Sequence, residues 1–151
     1  DVTEPSAPRE VDSEAALVGA SGVMVQGGYA FVTTQVPDPG VPSVCALALD
    51  DPAAPRFVGA LGLWGAPAGM AASGNTVYVA AGRMGVSAID ATDSAELGEF
   101  VRYDVPGLAR DVFVQGPYVF VAAARGGLYI LEREVPRASV ASTLFLPDVE
   151  R

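Results

Sequence analysis

The feature that most constrains this chain is an internal repeat of glycine-centred hairpins. Three stretches of alternating apolar residues, 23–32, 70–79 and 112–121, align around Gly27, Gly74 and Gly116. Each stretch predicts two strands joined by a tight turn in which glycine supplies a positive φ. The glycines are separated by 47 and 42 residues, which is the period of units built from four strands. The pattern predicts an all-β protein.

Two further strands complete each unit. A third apolar strand that ends in a carboxylate follows each hairpin, at 46–50, 86–90 and 128–132. A turn rich in Pro, Ala and Ser then leads to a fourth strand, at 56–61, 97–103 and 140–146. One such sheet cannot bury both of its apolar faces alone, so units of this kind stack as the blades of a β-propeller. We therefore predict a propeller segment of three four-stranded antiparallel blades.

The predicted blades divide one propeller segment, 1–151, into residues 20–66, 67–107 and 108–151. Residues 1–9 match the turn at 51–56 between the third and fourth strands, so residues 1–19 are expected to supply an extra outer strand of a preceding blade. Three blades do not close a ring, which needs about four to eight. Two completions stay open: blades of a longer protein, which we favour, or a second copy of this chain in a homodimer.

The repeats resemble the LVIVD-repeat family of β-propellers. The resemblance rests on the third strand at 86–90, the Gly-x-Tyr-x-(Phe/Tyr)-Val hairpins that begin at Gly27 and Gly116, the Gly127-Leu128 pair, and the Asp-Pro-Ala-Ala-Pro turn at 51–55. Glu132 in place of the usual Asp and Thr76 in place of the hairpin Tyr depart from the family pattern. The resemblance implies a bacterial protein that is exported to the periplasm, the cell surface or the medium, and it implies no particular activity.

Charge and composition exclude several classes of function. The chain has 9 Lys and Arg against 18 Asp and Glu, a net charge of −9, which disfavours nucleic acid because phosphates would be repelled. It has no histidine, so sites that need imidazole are excluded. We expect no catalytic residues, no metal and no cofactor. The single cysteine, Cys45, lies in an apolar strand, where we expect it to be buried and unreactive.

Two long uncharged stretches, 15–37 and 57–82, are interpreted as pairs of strands. A membrane-spanning helix needs about 20 continuous apolar residues, whereas these stretches contain repeated glycines and turn dipeptides. Insertion into a membrane is therefore not expected.

The candidate binding residues lie in loops that are expected to share one end of the blades. In a propeller, the loops between second and third strands meet the linkers between blades at this end, and ligands are often bound there. Arg83 and Arg125 occupy the same repeat position, 42 residues apart. They are either two cations for an acidic ligand or solvated turn residues, and we favour the second interpretation.

Three more candidates come from the 35–43 loop of the first blade, namely Gln35, Pro37 and Asp38. This loop is seven residues longer than its counterpart in the second blade, and its prolines make it a stiff element that can present a defined surface. Neutral variation in loop length is the simpler explanation. Trp64, in the linker to the second blade, is either a contact residue or an aromatic wedged between blades, and we favour the wedge.

The acids that end the third strands, Asp50, Asp90 and Glu132, are expected to cap the following turns. A calcium ion needs several oxygens at one point, whereas these acids lie a blade apart. Each precedes a turn whose backbone N–H groups a carboxylate can bind.

Three functions remain open. We favour a non-catalytic binding or scaffold module that displays loops to a protein or glycan partner, within a larger exported or cell-surface protein. The alternative is the propeller portion of an enzyme whose active-site residues lie in other blades. The third possibility is a structural role, in which the propeller only connects other domains.

Overall fold

Three antiparallel sheets follow one another along the chain in the computed structural model, which describes residues 6–14, 17–35 and 40–133. The strands are β1 (Ala20–Gln26), β2 (Tyr29–Thr34), β3 (Ser43–Ala48), β4 (Arg56–Gly62), β5 (Met70–Ser73), β6 (Thr76–Ala80), β7 (Val86–Asp90), β8 (Gly98–Tyr103), β9 (Asp111–Gln115), β10 (Tyr118–Ala122) and β11 (Leu128–Glu132). A 3-10 turn, Ala124–Gly126, precedes β11. The sheets are β1–β4, β5–β8 and β9–β11, and every strand pairs with its neighbour in sequence. The predicted all-β propeller segment is thereby confirmed.

Two of the predicted outer strands lie partly or wholly outside the described residues. The fourth strand of the third sheet, predicted at 140–146, lies outside the described residues. An extra outer strand was expected within residues 1–19, but residues 6–14 and 17–19 form no strand. A strand needs a neighbouring strand for its backbone hydrogen bonds, and none of the three described sheets includes these residues.

The three repeat glycines occupy the hairpin turns, as predicted. Gly27, Gly74 and Gly116 have φ values of +60°, +60° and +56°, and a Cβ atom at any of them would meet nothing within 4 Å. Glycine is thus required by the backbone conformation and not by lack of space. A positive φ at the first central residue belongs to the mirror-image turns that match the twist of a hairpin.

The third strand of the first sheet is displaced from its predicted position. The predicted strands at 86–90 and 128–132 coincide with β7 and β11, whereas β3 runs from Ser43 to Ala48 instead of 46–50. The cause is pairing: β2 continues to Thr34, which lies opposite Ser43. Part of the predicted loop insertion therefore lengthens this hairpin.

The middle sheet is buried on both faces because its side chains alternate between two cores. Val77 and Val79 of β6 pack into a core shared with the first sheet, together with Phe31 and Ile89. Tyr78 and Ala80, the alternate residues of the same strand, pack into a second core with Val112, Val119 and Val121 of the third sheet. The period-two pattern of each strand thus serves both contacts.

The first strands of adjacent sheets approach each other closely. The N–H of Gly69, just before β5, donates to the carbonyl of Arg110, just before β9, at 3.1 Å. A Cβ atom on Gly69 would lie 2.8 Å from the Cα of Asp111. Gly82 and Ala109 exchange backbone hydrogen bonds of 3.2 and 2.9 Å. These contacts fix the distance between the second and third sheets.

The outer face of the third sheet is apolar and exposed. Phe113, Leu128 and Ile130 are 62, 64 and 57% exposed, and the rings of Phe113 and Phe120 lie 6.4 Å apart. In the middle sheet, faces of the same character are covered by neighbouring sheets. At the other end, Val23 and Val25 of β1 are also exposed.

The isolated chain is expected to self-associate through these end faces. Burial of about 400 Å² of apolar surface contributes roughly 10 kcal/mol before the costs of association, at about 25 cal/mol/Å². The net charge of −9 opposes association only within about 8 Å at physiological salt. Ile130→Glu should weaken association, whereas Phe100→Glu, at an equally exposed residue of β8, should not. Sedimentation at several concentrations measures this, and a folded monomer throughout would contradict it.

Gly69→Ala is expected to destabilise the fold by about 2 kcal/mol, because the added methyl group overlaps the backbone of the next sheet. Gly98→Ala is the matched control: no atom lies within 4 Å of a Cβ there, so its effect should stay within about 0.5 kcal/mol. Urea unfolding followed by circular dichroism gives both values. Equal stability of the two variants would show that the close approach of β5 and β9 does not limit packing.

Candidate functional site

One end of the sheets carries two adjoining clefts. They open between the linkers that join successive sheets and the loops that join second to third strands. Their volumes are about 460 and 510 Å³, and both are lined by Arg83, Leu108 and Arg110. We call the residues that line these clefts the rim surface: Gln35, Trp64, 65–68, 82–84, 107–110, Ala124 and Arg125.

Four of the six residues predicted as binding candidates lie on the rim surface. Gln35, Trp64 and Arg83 line the first cleft, and Arg83 and Arg125 line the second. The other two candidates, Pro37 and Asp38, lie outside the described residues. The structure thus brings together residues from three separate repeat units.

Gln35 connects the first sheet to the following linker through hydrogen bonds. Its side-chain amide donates a hydrogen bond to the carbonyl of Pro67 at 2.9 Å, and its backbone N–H donates to the carbonyl of Gly19 at 2.8 Å. Pro67 is fully buried. Gln35 therefore positions the wall of the first cleft.

Trp64 projects into solvent at the edge of the first cleft. Its side chain is 79% exposed, so the interpretation as an aromatic wedge between blades is wrong. The reason lies in the linker after β4, where the chain bends at Trp64 and Gly65. Leu63 is only 4% exposed and packs into the core between the first two sheets, which turns Trp64 outward.

Arg83, Arg110 and Arg125 line the second cleft together. The shared repeat position of Arg83 and Arg125 does bring them to one place. Arg110 was missed by the sequence analysis because the preceding repeat has Ala68 at the corresponding position before its first strand, so no recurrence marks it. Its location in a linker between blades was the available signal.

These three guanidinium groups form no ion pair or side-chain hydrogen bond with any described residue. The other four described arginines all have partners. Arg102 binds Glu99 through two hydrogen bonds of 3.2 and 2.7 Å, Arg56 lies 3.7 Å from Asp50, Arg133 donates to the carbonyl of Gly116, and Arg9 also has a partner. The unpartnered arginines are therefore concentrated on the rim surface.

Acidic side chains are absent from the described lining of both clefts. The nearest acids in sequence are Asp104 and Asp111, at the two ends of the linker that carries Arg110. Asp111 accepts a hydrogen bond from the N–H of Val112 at 2.9 Å. The rim surface is thus locally cationic in an acidic protein.

At the opposite end of the sheets, acidic side chains cap turns. The Oδ1 atom of Asp90 accepts hydrogen bonds from the hydroxyl and the N–H of Thr92 at 2.6 and 2.9 Å, and these bonds lower the pKa of Asp90. The predicted capping is confirmed here. The turn after Glu132 lies outside the described residues.

Asp50 is not equivalent to Asp90, contrary to the sequence alignment. Asp90 pairs with Thr76, and the corresponding hairpin residue of the first sheet, Tyr29, pairs with Ala48. The acid that caps the first turn is Asp51, which accepts from the N–H of Ala53 at 2.9 Å. Ala48 therefore occupies the position of Asp90, and Asp50 lies two residues beyond it.

A third cleft, of about 420 Å³, lies at that opposite end between the first two sheets. The amide of Gln26 spans it by donating to the carbonyl of Gly74 at 2.6 Å. Neutral turn residues and the rings of Tyr29 and Phe31 form most of its wall.

Residues 6–14, 17–35 and 40–133 contain neither a cluster of metal-ligating side chains nor a long apolar helix. No three side chains of Asp, Glu, Cys or His lie close enough there to hold a metal ion. No helix there has the length and apolar character needed to cross a membrane.

Comparisons with known proteins match two parts of the chain to one repeat family. A model of the LVIVD repeat matches residues 19–36 and 106–132, which contain β1, β2 and β9–β11. No curated protein is significantly similar in sequence.

Solved structures of two computationally designed proteins are similar to the chain. Ika8 is 12% identical with a TM-score of 0.47, and the match covers 75% of this chain and 45% of Ika8. Ika4 is 14% identical with a TM-score of 0.47, and the match covers 84% of this chain and 99% of Ika4.

Cys45 is expected to resist thiol reagents in the folded protein. It is 7% exposed, and burial raises its pKa despite a hydrogen bond with Thr34 that acts to lower it. A raised pKa leaves less of the reactive thiolate at neutral pH. Labelling with a chromogenic disulfide should be slow in buffer and fast in urea. Native labelling at the rate of free cysteine would show that Cys45 is accessible.

Proposed function

We propose that this chain, a β-propeller segment built from LVIVD repeats, is a non-catalytic binding module whose rim surface makes the contact. The module would belong to a larger exported or cell-surface protein, as the family resemblance implies. The observation that carries the proposal is Trp64, whose side chain is 79% exposed at the edge of a cleft. Tryptophan and arginine are the residues most enriched among those that dominate binding energy at interfaces.

The rigidity of the rim surface supports this proposal. The Gln35–Pro67 hydrogen bond fixes the linker beside Trp64, and the paired backbone bonds of Gly82 and Ala109 fix the opposite wall. A surface that is already ordered loses little conformational entropy when it binds. The clefts are therefore suited to a defined partner.

The chemistry of the described lining also favours binding over catalysis. The rim surface presents guanidinium, amide, indole and aliphatic groups, and its described lining contains no carboxylate, imidazole, thiol or phenol that could act as a general acid or base. General acid–base catalysis is most efficient with groups whose pKa lies near the working pH.

Mixed arrays of peptides and glycans test the proposal. The wild-type chain should bind a subset of them, and Trp64→Ala should weaken that binding at least tenfold, because truncation of a central interface tryptophan costs about 2 kcal/mol or more. Phe100→Ala is the matched control, since Phe100 is 59% exposed but lies in β8 away from both clefts. The proposal is wrong if the two variants lose binding equally, or if the wild-type chain binds nothing on either array.

A further inference from the structure

We infer that the partner of the rim surface is an acidic peptide segment, with carboxylates bound by Arg83, Arg110 and Arg125 and an apolar side chain placed beside Trp64. This inference rests on the proposed function and names the ligand class for the same surface.

The three unpartnered arginines favour a ligand that carries negative charge. They line adjoining clefts, and none has a partner among the described residues, whereas the other four described arginines do. Like charges around one cleft repel each other, and no described acid lines the clefts to offset them. A carboxylate would relieve this repulsion and accept paired hydrogen bonds from a guanidinium fork.

The first cleft supplies an apolar subsite next to the cationic one. Its wall contains Trp64, Pro67, Met84 and Leu108, and its volume of about 460 Å³ accommodates a large aliphatic or aromatic side chain. Both clefts share Arg83, Leu108 and Arg110. The apolar residue of the ligand therefore lies within a few residues of its acids.

A peptide fits this surface better than a sugar does. A sugar presents many hydroxyl groups that both donate and accept hydrogen bonds; an amide side chain can pair with both functions, whereas a guanidinium only donates. The described lining offers a single side-chain amide, that of Gln35, and this amide already donates to Pro67. A nucleic acid is disfavoured because its phosphates extend well beyond the three arginines, over a protein whose net charge is −9.

The test uses an array of matched peptides of about ten residues. Each peptide has a central Leu, Phe or Trp flanked either by Glu or by Gln. We expect the Glu peptides to bind at least tenfold more tightly than the Gln peptides, with a preference that weakens as salt is raised. Arg83→Gln and Arg125→Gln should remove this preference. Arg83→Lys should retain part of the preference, because lysine keeps the positive charge but lacks the two parallel N–H donors of a guanidinium group.

Arg56→Gln is the matched control. Arg56 is an exposed arginine at the opposite end of the sheets, where it lies near Asp50, and its loss should leave the preference for Glu unchanged. Circular dichroism of each variant verifies that the exposed substitutions leave the fold intact. Equal weakening by Arg56→Gln would show attraction to any cation on the protein and would overturn the inference.

Three other outcomes show whether this inference alone or the proposed function as well is wrong. If Glu and Gln peptides bind alike and Trp64→Ala weakens both, the rim surface binds peptides without a preference for acids, and only this inference is wrong. If soluble polygalacturonate binds through the arginines and no peptide does, the ligand is an acidic glycan, which also overturns it. Binding that is unchanged by Trp64→Ala and by substitution of the three arginines would overturn both proposals.

Discussion

The whole arrangement depends on the contact of one sheet face with the next. Each strand alternates its side chains between two faces, so Val77 and Tyr78, adjacent in sequence, lie in different cores. Neither core could form from one sheet alone, and burial of these apolar faces provides the main stabilisation. Because glycine at position 69 lets the first strands approach closely, the linkers and loops at one end of the sheets are drawn into a single surface. The clefts follow from the packing of the cores.

Much of this fold is predictable from local sequence, since its determinants are local. Glycine at a positive-φ turn position identifies each hairpin, and apolar alternation identifies the strands that follow it. The displacement of β3 was not predictable in this way, because Ser43 joins the strand only through its pairing with Thr34. The wrong equivalence of Asp50 with Asp90 has the same origin: a register is a property of two strands, whereas an alignment considers one segment at a time.

The candidate site shows a similar division. Recurrence in sequence indicated Arg83 and Arg125, because the same loop returns in each repeat. Arg110 and the exposure of Trp64 depend on which side of a linker faces the core, and that is decided by the burial of Leu63 and by the contacts between sheets. Such features arise from tertiary packing. A search for recurring residues finds only those parts of a surface that the repeat itself contributes.

The acidic turns at the far end of the sheets have an effect on the approach of any partner. Asp51, Asp90 and Asp93 are held there by backbone N–H groups, while the unpartnered arginines lie at the opposite end. Among the described residues, capped acids thus lie at one end of the sheets and unpartnered arginines at the other, which gives the segment an electric dipole. In the field of a negatively charged body, such a dipole turns so that the arginines lead. The orientation of an encounter is therefore selected before contact, and it is selected most strongly at low ionic strength.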